Sequence, residues 1–296
     1  MKVTTHVPLD ATAFTSMALV CAMWGAQHVI VKLTAPDVSL LMQGGLRAAA
    51  ATILLLLWAK GRRIALFGRD GTLASGIVVG LLFAFEFVFI YAGLGHTAAS
   101  RMVVFVYLAP VFTALGLHAL VPGERLAARQ WCGVLLAFAG IAAAFSGGFS
   151  GGGSSTLAGD LCGVIAAALW AATTVLIRRS SLARASAAKT LFYQLAASVP
   201  VLLLASWAMG EKGVVTLSPF AMASLTYQAL VSFGSLLVWF GLLTRYLAAP
   251  LSVLTFLTPL FGVLCGVLVL SEPFTPAFAA CALLVAAGIV LVNLRR

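Results

Sequence analysis

The chain is a succession of long apolar stretches separated by short polar turns. A run of roughly 20 apolar residues crosses a ~30 Å hydrocarbon core. Ten such runs can be marked, at 12–33, 39–59, 73–93, 99–120, 127–146, 157–178, 189–208, 219–242, 249–270 and 275–293. The connections between them are too short to hold a further soluble domain. The pattern predicts an all-α integral membrane protein with ten transmembrane helices in one compact unit.

Two of the runs carry a proline near the middle. Pro110 lies in Tyr107-Leu108-Ala109-Pro110-Val111-Phe112, and Pro259 in Phe256-Leu257-Thr258-Pro259-Leu260-Phe261. The local order is shared: aromatic, Leu, small or Thr, Pro, aliphatic, Phe. A proline removes one helix hydrogen bond and weakens or bends the helix there. In a membrane that is tolerated where neighbouring groups satisfy the freed carbonyl. The two prolines are expected as a hinge pair beside a central pathway, against the plainer reading of two packing kinks.

The echo extends further. Trp24 pairs with Trp170, Gln43 with Gln194, Trp58 with Trp207, Glu124 with Glu272, and Gly140-Ile141 with Gly288-Ile289, all about half the chain apart. A steady offset across several helices argues for duplication. Five spans per half is an odd number, so the second copy enters the membrane from the opposite side. That predicts two inverted five-helix repeats around a central cavity. The expected division is residues 1–146, a Gly/Ser-rich external linker 147–156, and residues 157–296. The linker contains Gly148-Phe149-Ser150-Gly151-Gly152, which formally fits GxSxG. No strand precedes it and every histidine lies before the serine, so it is not a hydrolase elbow.

Composition and charge agree with a membrane bundle. The 296 residues are 62% hydrophobic and 9% charged, with a formal charge of +10. In a soluble protein that charge would raise nucleic-acid binding, but here the basic residues border spans, and no nucleic-acid partner is expected. If the N-terminus is cytoplasmic, 14 of the 18 Lys and Arg residues fall on the cytoplasmic side. Lys32, Arg101 and Lys212 fall outside, and Arg47 lies within a span. This asymmetry is the positive-inside pattern, with both termini in the cytoplasm. The first run is long for a signal peptide and lacks a clear cleavage site, so it reads as a retained span. The five cysteines all fall in spans without close pairing, which indicates neither disulfides nor a metal site. Two GxxxG patterns, Gly76 to Gly80 and Gly262 to Gly266, permit close helix approach, within the bundle or at a dimer seam.

Arg47 and Glu86 are the clearest charges within spans. Such charges cost several kcal/mol unless paired or wetted. At 1.5 Å per residue Arg47 lies ~12 Å into its span and Glu86 ~20 Å into a span of opposite direction, so their depths match. They are a candidate buried charge pair, either as a static tie or with Glu86 facing a cavity. His28, one turn beyond Trp24, reads first as a hydrogen-bonded helix contact and second as a proton relay. Trp24 and Trp170 sit mid-span, away from the interfacial belt where Trp is usually enriched. Phe83, Phe85, Phe87, Phe89 and Tyr91 share a span with Glu86, where only some of them can face a cavity; Tyr107, Tyr193, Tyr227, Trp239 and Phe256 complete a candidate aromatic wall. An apolar pocket with few polar groups suits a small amphipathic or planar ligand.

At the paired prolines, the Glu124 and Glu272 turns, Arg47 and the five-plus-five repeat, the chain resembles the ten-span EamA group of the drug/metabolite transporter superfamily. Within it, the chain is most similar to the aromatic amino acid exporter (YddG-like) branch. The resemblance implies eight helices around a cavity, with the fifth and tenth outside. It also implies export of small amphipathic metabolites, above all aromatic amino acids, across a bacterial inner membrane by alternating access. The candidate substrate positions are Trp24, His28, Gln43, Phe83, Glu86, Phe87, Tyr91, Tyr107, Trp170, Tyr227, Trp239 and Phe256. No cofactor, metal or catalytic residue is expected, and the lipid bilayer is the main partner. Proton coupling and uncoupled downhill efflux both fit, as do a monomer and a weak homodimer. A drug or nucleotide-sugar carrier of the same superfamily is the nearest alternative. A membrane-embedded enzyme is more distant, because no HExxH or credible triad occurs.

Overall fold

A computed structural model describes residues 10–68, 70–120, 126–145, 154–245, 254–255, 257–272 and 276–293. The first half runs α1 (Ala11–Thr34), α2 (Leu40–Gly61), α3 (Leu73–Leu94), α4 (Ala99–Val106), α5 (Ala109–Leu120) and α6 (Ala128–Phe145). The second runs α7 (Ser154–Arg179), a short 3-10 turn at Ser181–Arg184, α8 (Ala187–Ala208), α9 (Pro219–Leu230), a π-helical turn at Val231–Ser235, α10 (Leu236–Arg245), α11 (Leu257–Leu270) and α12 (Pro276–Asn293). α4 with α5 makes one span, and α9 with α10 another. Among the described residues seven spans are long and apolar enough to cross a bilayer, and α6, α11 and α12 are further apolar helices packed in the bundle. The protein is therefore an all-α integral membrane protein.

Helix ends follow local chemistry. Asp10 accepts the Ala13 N–H at 2.8 Å to start α1, and Ser218 accepts the Ala221 N–H at 3.0 Å to start α9, with Pro219 in its first turn. α7 begins at Ser154, inside the stretch expected as linker; residues 146–153, with the GxSxG pattern, lie outside the described residues. The prolines act differently from a mid-helix bend. The fourth span is interrupted at Tyr107-Leu108, and Pro110 falls in the first turn of α5. Pro259 falls in the first turn of α11. A missing N–H is no loss in a first turn, because those donors have no helical partner. Pro200 sits inside an unbroken α8.

Packing is close where side chains are smallest. α3 lies along both α7 and α8. A Cβ on Gly76 would come within 2.5 Å of the Tyr193 ring, and one on Gly80 within 2.5 Å of the Tyr193 carbonyl oxygen. α1 meets α11 where Gly25 backs onto Gly262: a Cβ on Gly25 would lie 2.6 Å from the Gly262 nitrogen. Gly262 and Gly266 also face Val103 and Ser100 of α4. Both GxxxG patterns thus seat helices of this same chain. α6 and α12 pack mainly on each other, and α12 also meets α5. Leu57, Trp207 and Leu268 are exposed at 64%, 80% and 72%, as suits side chains solvated by lipid tails.

Candidate functional site

α2 turns one face inward, burying Leu41, Gln43, Gly44, Arg47, Ala48, Ala51 and Leu55. α3 does the same with Val79, Gly80, Ala84, Glu86, Ile90 and Tyr91. These faces bring Arg47 and Glu86 into the interior at 3% and 4% exposure. Arg47 lies within electrostatic reach of Glu86, yet no ion pair joins them. The Arg47 guanidinium carbon instead lies 4.1 Å from the centre of the Phe87 ring and 5.4 Å from that of Tyr91. Arg47 Nε and Glu86 Oε2 are buried without a hydrogen-bond partner. Buried charges left unpaired cost several kcal/mol, so this arrangement is a feature to be explained by function rather than by stability.

Aromatic rings surround the two charges. Phe83, Phe87 and Tyr91 are spaced by four on α3 and touch in sequence, the first pair edge to face and the second tilted, with ring centres 4.8 Å and 6.2 Å apart. Tyr107, at the interruption of the fourth span, meets Trp170 of α7 edge to face at 5.7 Å. Tyr107 also lies within electrostatic reach of Glu86, and His28 of α1 within reach of Arg47. Trp24, one turn before His28, packs edge to face on Trp239 at 6.4 Å and donates from Nε1 to Ser235 Oγ at 2.7 Å. The π-helical turn carries Ser235, so this irregularity is what presents a hydroxyl to Trp24. π turns of this kind recur at functional sites.

Other candidate residues are fully engaged by protein. Gln43 is fully buried, donates from Nε2 to the Val31 and Val38 carbonyls at 3.1 and 2.8 Å, and accepts from Gln228 Nε2 at 2.9 Å. The Tyr91 hydroxyl donates to Gln228 Oε1 at 3.2 Å, and Ser224 accepts from Gln228 at 3.2 Å. This knot ties α2, α3 and α9. The Tyr227 hydroxyl donates to the Met23 carbonyl at 2.8 Å, tying α9 to α1. Phe256 and Glu124 lie outside the described residues. Ser224, Gln228, Ser232 and Ser235 were not among the sequence candidates. Their signal was present: a polar stripe at spacings of four and three within an apolar run marks a face turned away from lipid.

The profile of the EamA-like transporter family matches residues 12–146 and again 157–294. The chain belongs to the EamA-like transporter family. A transporter of Archaeoglobus fulgidus is 28% identical over 86% of this chain and 88% of its own length. A Salmonella typhimurium protein named "probable amino-acid metabolite efflux pump" is 25% identical over 92% of each chain, and an Escherichia coli protein of the same name is 24% identical over 92% of each. A solved crystal structure superposes with a TM-score of 0.66 over 96% of this chain and 98% of its own, at 18% identity. At that identity the likeness speaks for the fold alone. Membership of this family, with its run of apolar helices, makes the chain a multi-pass membrane transporter.

Proposed function

We propose that this EamA protein exports small amphipathic metabolites, foremost aromatic amino acids, by alternating access. The observation that carries the reading is the bundle centre, where Arg47 and Glu86 are buried, each with a polar atom lacking a hydrogen-bond partner, beside rings of α3 and the fourth span. An aromatic amino acid presents a planar apolar ring and two opposite charges, which is what such a centre would complement. The relatives named as amino-acid metabolite efflux pumps support the same class. The two family matches support a division into halves 1–146 and 157–296 joined by 147–156. In the proposed orientation both termini are cytoplasmic and the membrane is the bacterial inner membrane, on the strength of the basic-residue asymmetry. The halves rock about the helix starts at Pro110 and Pro259.

A nucleotide-sugar carrier would need several cations for its diphosphate, and among the described residues the central cluster offers Arg47 alone. Proteoliposomes preloaded with tritiated L-phenylalanine, L-tryptophan, uridine or a cationic dye test the choice. Protein-dependent efflux of the amino acids is expected. Transport of uridine or dye with none of the amino acids would contradict the proposal. Phe83→Ala, which strips the apolar wall but leaves both charges, should raise the KM for L-phenylalanine about 10-fold, the equivalent of one lost aromatic contact.

A further inference from the structure

Resting on that reading, we infer that Arg47 and Glu86 are the two poles of a head-group site specific for a free α-amino acid. The Arg47 guanidinium takes the substrate carboxylate, and the Glu86 carboxylate takes its ammonium. A substrate lacking either group is refused.

Four observations combine. Arg47 donates no hydrogen bond to any described protein group, and its buried Nε–H has no acceptor. Its guanidinium carbon lies 4.1 Å from the centre of the Phe87 ring, so the cation is held against an aromatic surface rather than against a carboxylate. A guanidinium held in this way still has N–H donors for a carboxylate. Glu86 Oε2 is likewise buried and receives no donor. Finally, the two charges feel each other but do not close. Phe87, the residue after Glu86, holds Arg47 on its ring, so the same turn of α3 carries one pole and the contact that positions the other. An α-amino acid carries its two charges on a single carbon, and neighbouring, unclosed poles are the complement of that arrangement. A static ion pair would close, so that mutual attraction offsets part of the cost of burying both groups.

The discrimination follows from the same chemistry. A site built to hydrogen-bond a group rejects the analogue lacking it, because the site's own buried polar atom is then left unpaired. The test uses two substrate trios in proteoliposomes, with protein-free liposomes subtracted. One is L-phenylalanine, phenethylamine and 3-phenylpropionate; the other is L-leucine, 3-methylbutylamine and 4-methylpentanoate. Wild type should carry each amino acid at least about 10-fold faster than its truncated analogues. Glu86→Gln should slow the amino acids and raise the acid-to-amino-acid ratio about 10-fold. Arg47→Gln should raise the amine-to-amino-acid ratio by a similar factor, while Arg47→Lys, which keeps a cation, should retain the wild-type order. Glu86→Gln is nearly isosteric, so it decides the matter if Arg47→Gln does not yield monodisperse protein. A variant that slows all three members of a trio equally would overturn the head-group site, as would a wild type indifferent to the missing group. If the phenylalanine trio is silent while the leucine trio shows the pattern, the aromatic preference fails and the head-group site stands. A wild type that moves neither amino acid overturns the site.

Discussion

On the face that carries the 35–39 and 209–218 connections, carboxylates of the second half grip helix ends of the first. Glu211 accepts the Leu41 and Met42 N–H groups of α2 at 2.9 and 3.0 Å and is itself held by the Ser206 hydroxyl at 2.7 Å. Glu272 accepts the Ala99 and Ser100 N–H groups of α4 at 2.7 and 2.9 Å. The loops join through an antiparallel bridge between Val38 and Val214, and through Ser39 N–H to the Gly213 carbonyl at 2.9 Å. Asp160 of α7 pairs with Arg101 of α4. On the face with the 62–72 and 180–186 connections, the described ties between halves run mostly through side chains at the rim. Lys189 meets Asp70 at 2.6 Å, with Asp70 about half exposed, and the Ser75 and Thr72 hydroxyls lie 3.1 and 3.2 Å from those of Ser181 and Tyr193. Carboxylates on orphan helix N–H groups are charge-assisted and aligned with the helix dipole, whereas the Lys189–Asp70 pair, buried on the lysine side, is screened by solvent at its half-exposed carboxylate. Among the described residues the first face is the better fastened, and under the proposed alternation these ties must break for it to open.

Removing the two carboxylate caps should have the largest effect. Glu211→Ala combined with Glu272→Ala is expected to lower unfolding stability in detergent by about 2–4 kcal/mol, at one to two per cap. Denaturant titration reads it, and a wild-type midpoint would erase the asymmetry. Gly213→Val should come next. Gly213 has φ +72° beside the bridge, where a side chain costs roughly 1–2 kcal/mol; an unchanged midpoint would mean that the loop pairing is loose. Asp70→Asn should be the smallest. The hydrogen bond from Lys189, then that from Thr72, holds the Asp70 carboxyl below the usual carboxylate range. A depressed acid contributes fully above its unfolded value of about 3.9 and loses that contribution as pH falls through the folded value. The small difference between Asp70→Asn and wild type should therefore be constant from about pH 5 to 8 and vanish only in strong acid. A difference that changes across neutrality would point to another titrating group.

This asymmetry marks where sequence reading stopped. Apolar run length placed the spans well: 99–120 corresponds to α4 and α5 at Ala99–Leu120, and 73–93 to α3 at Leu73–Leu94. The lipid sets that length, so composition carries it. Charges within apolar runs are expected to turn inward for the same reason, and Arg47 and Glu86 are both buried. What Arg47 would touch was not legible. Stacking on Phe87 against pairing with Glu86 depends on side-chain directions that depth alone leaves open. The prolines were legible as special, but their place in first turns depends on where Tyr107-Leu108 breaks the helix. The partnership of Glu211 with Leu41 and Met42 joins residues in opposite halves, and no local spacing encodes it. Gln43 illustrates the converse: a polar residue within a span suggested a substrate contact, while its amide is taken up by Val31, Val38 and Gln228.

The central claim is that the halves part and close around the Arg47–Glu86 centre during each cycle. The Val38–Val214 bridge offers the most direct test, since facing residues in an antiparallel pair lie at Cα separations of about 4.5–5.5 Å, within disulfide range. Transport of L-phenylalanine by Val38→Cys/Val214→Cys is measured in proteoliposomes before oxidation, after it, and after reduction, with Val38→Cys alone as the control. The account predicts that oxidation stops transport in the double variant and that reduction restores it. Undiminished transport through a fully cross-linked protein would contradict it.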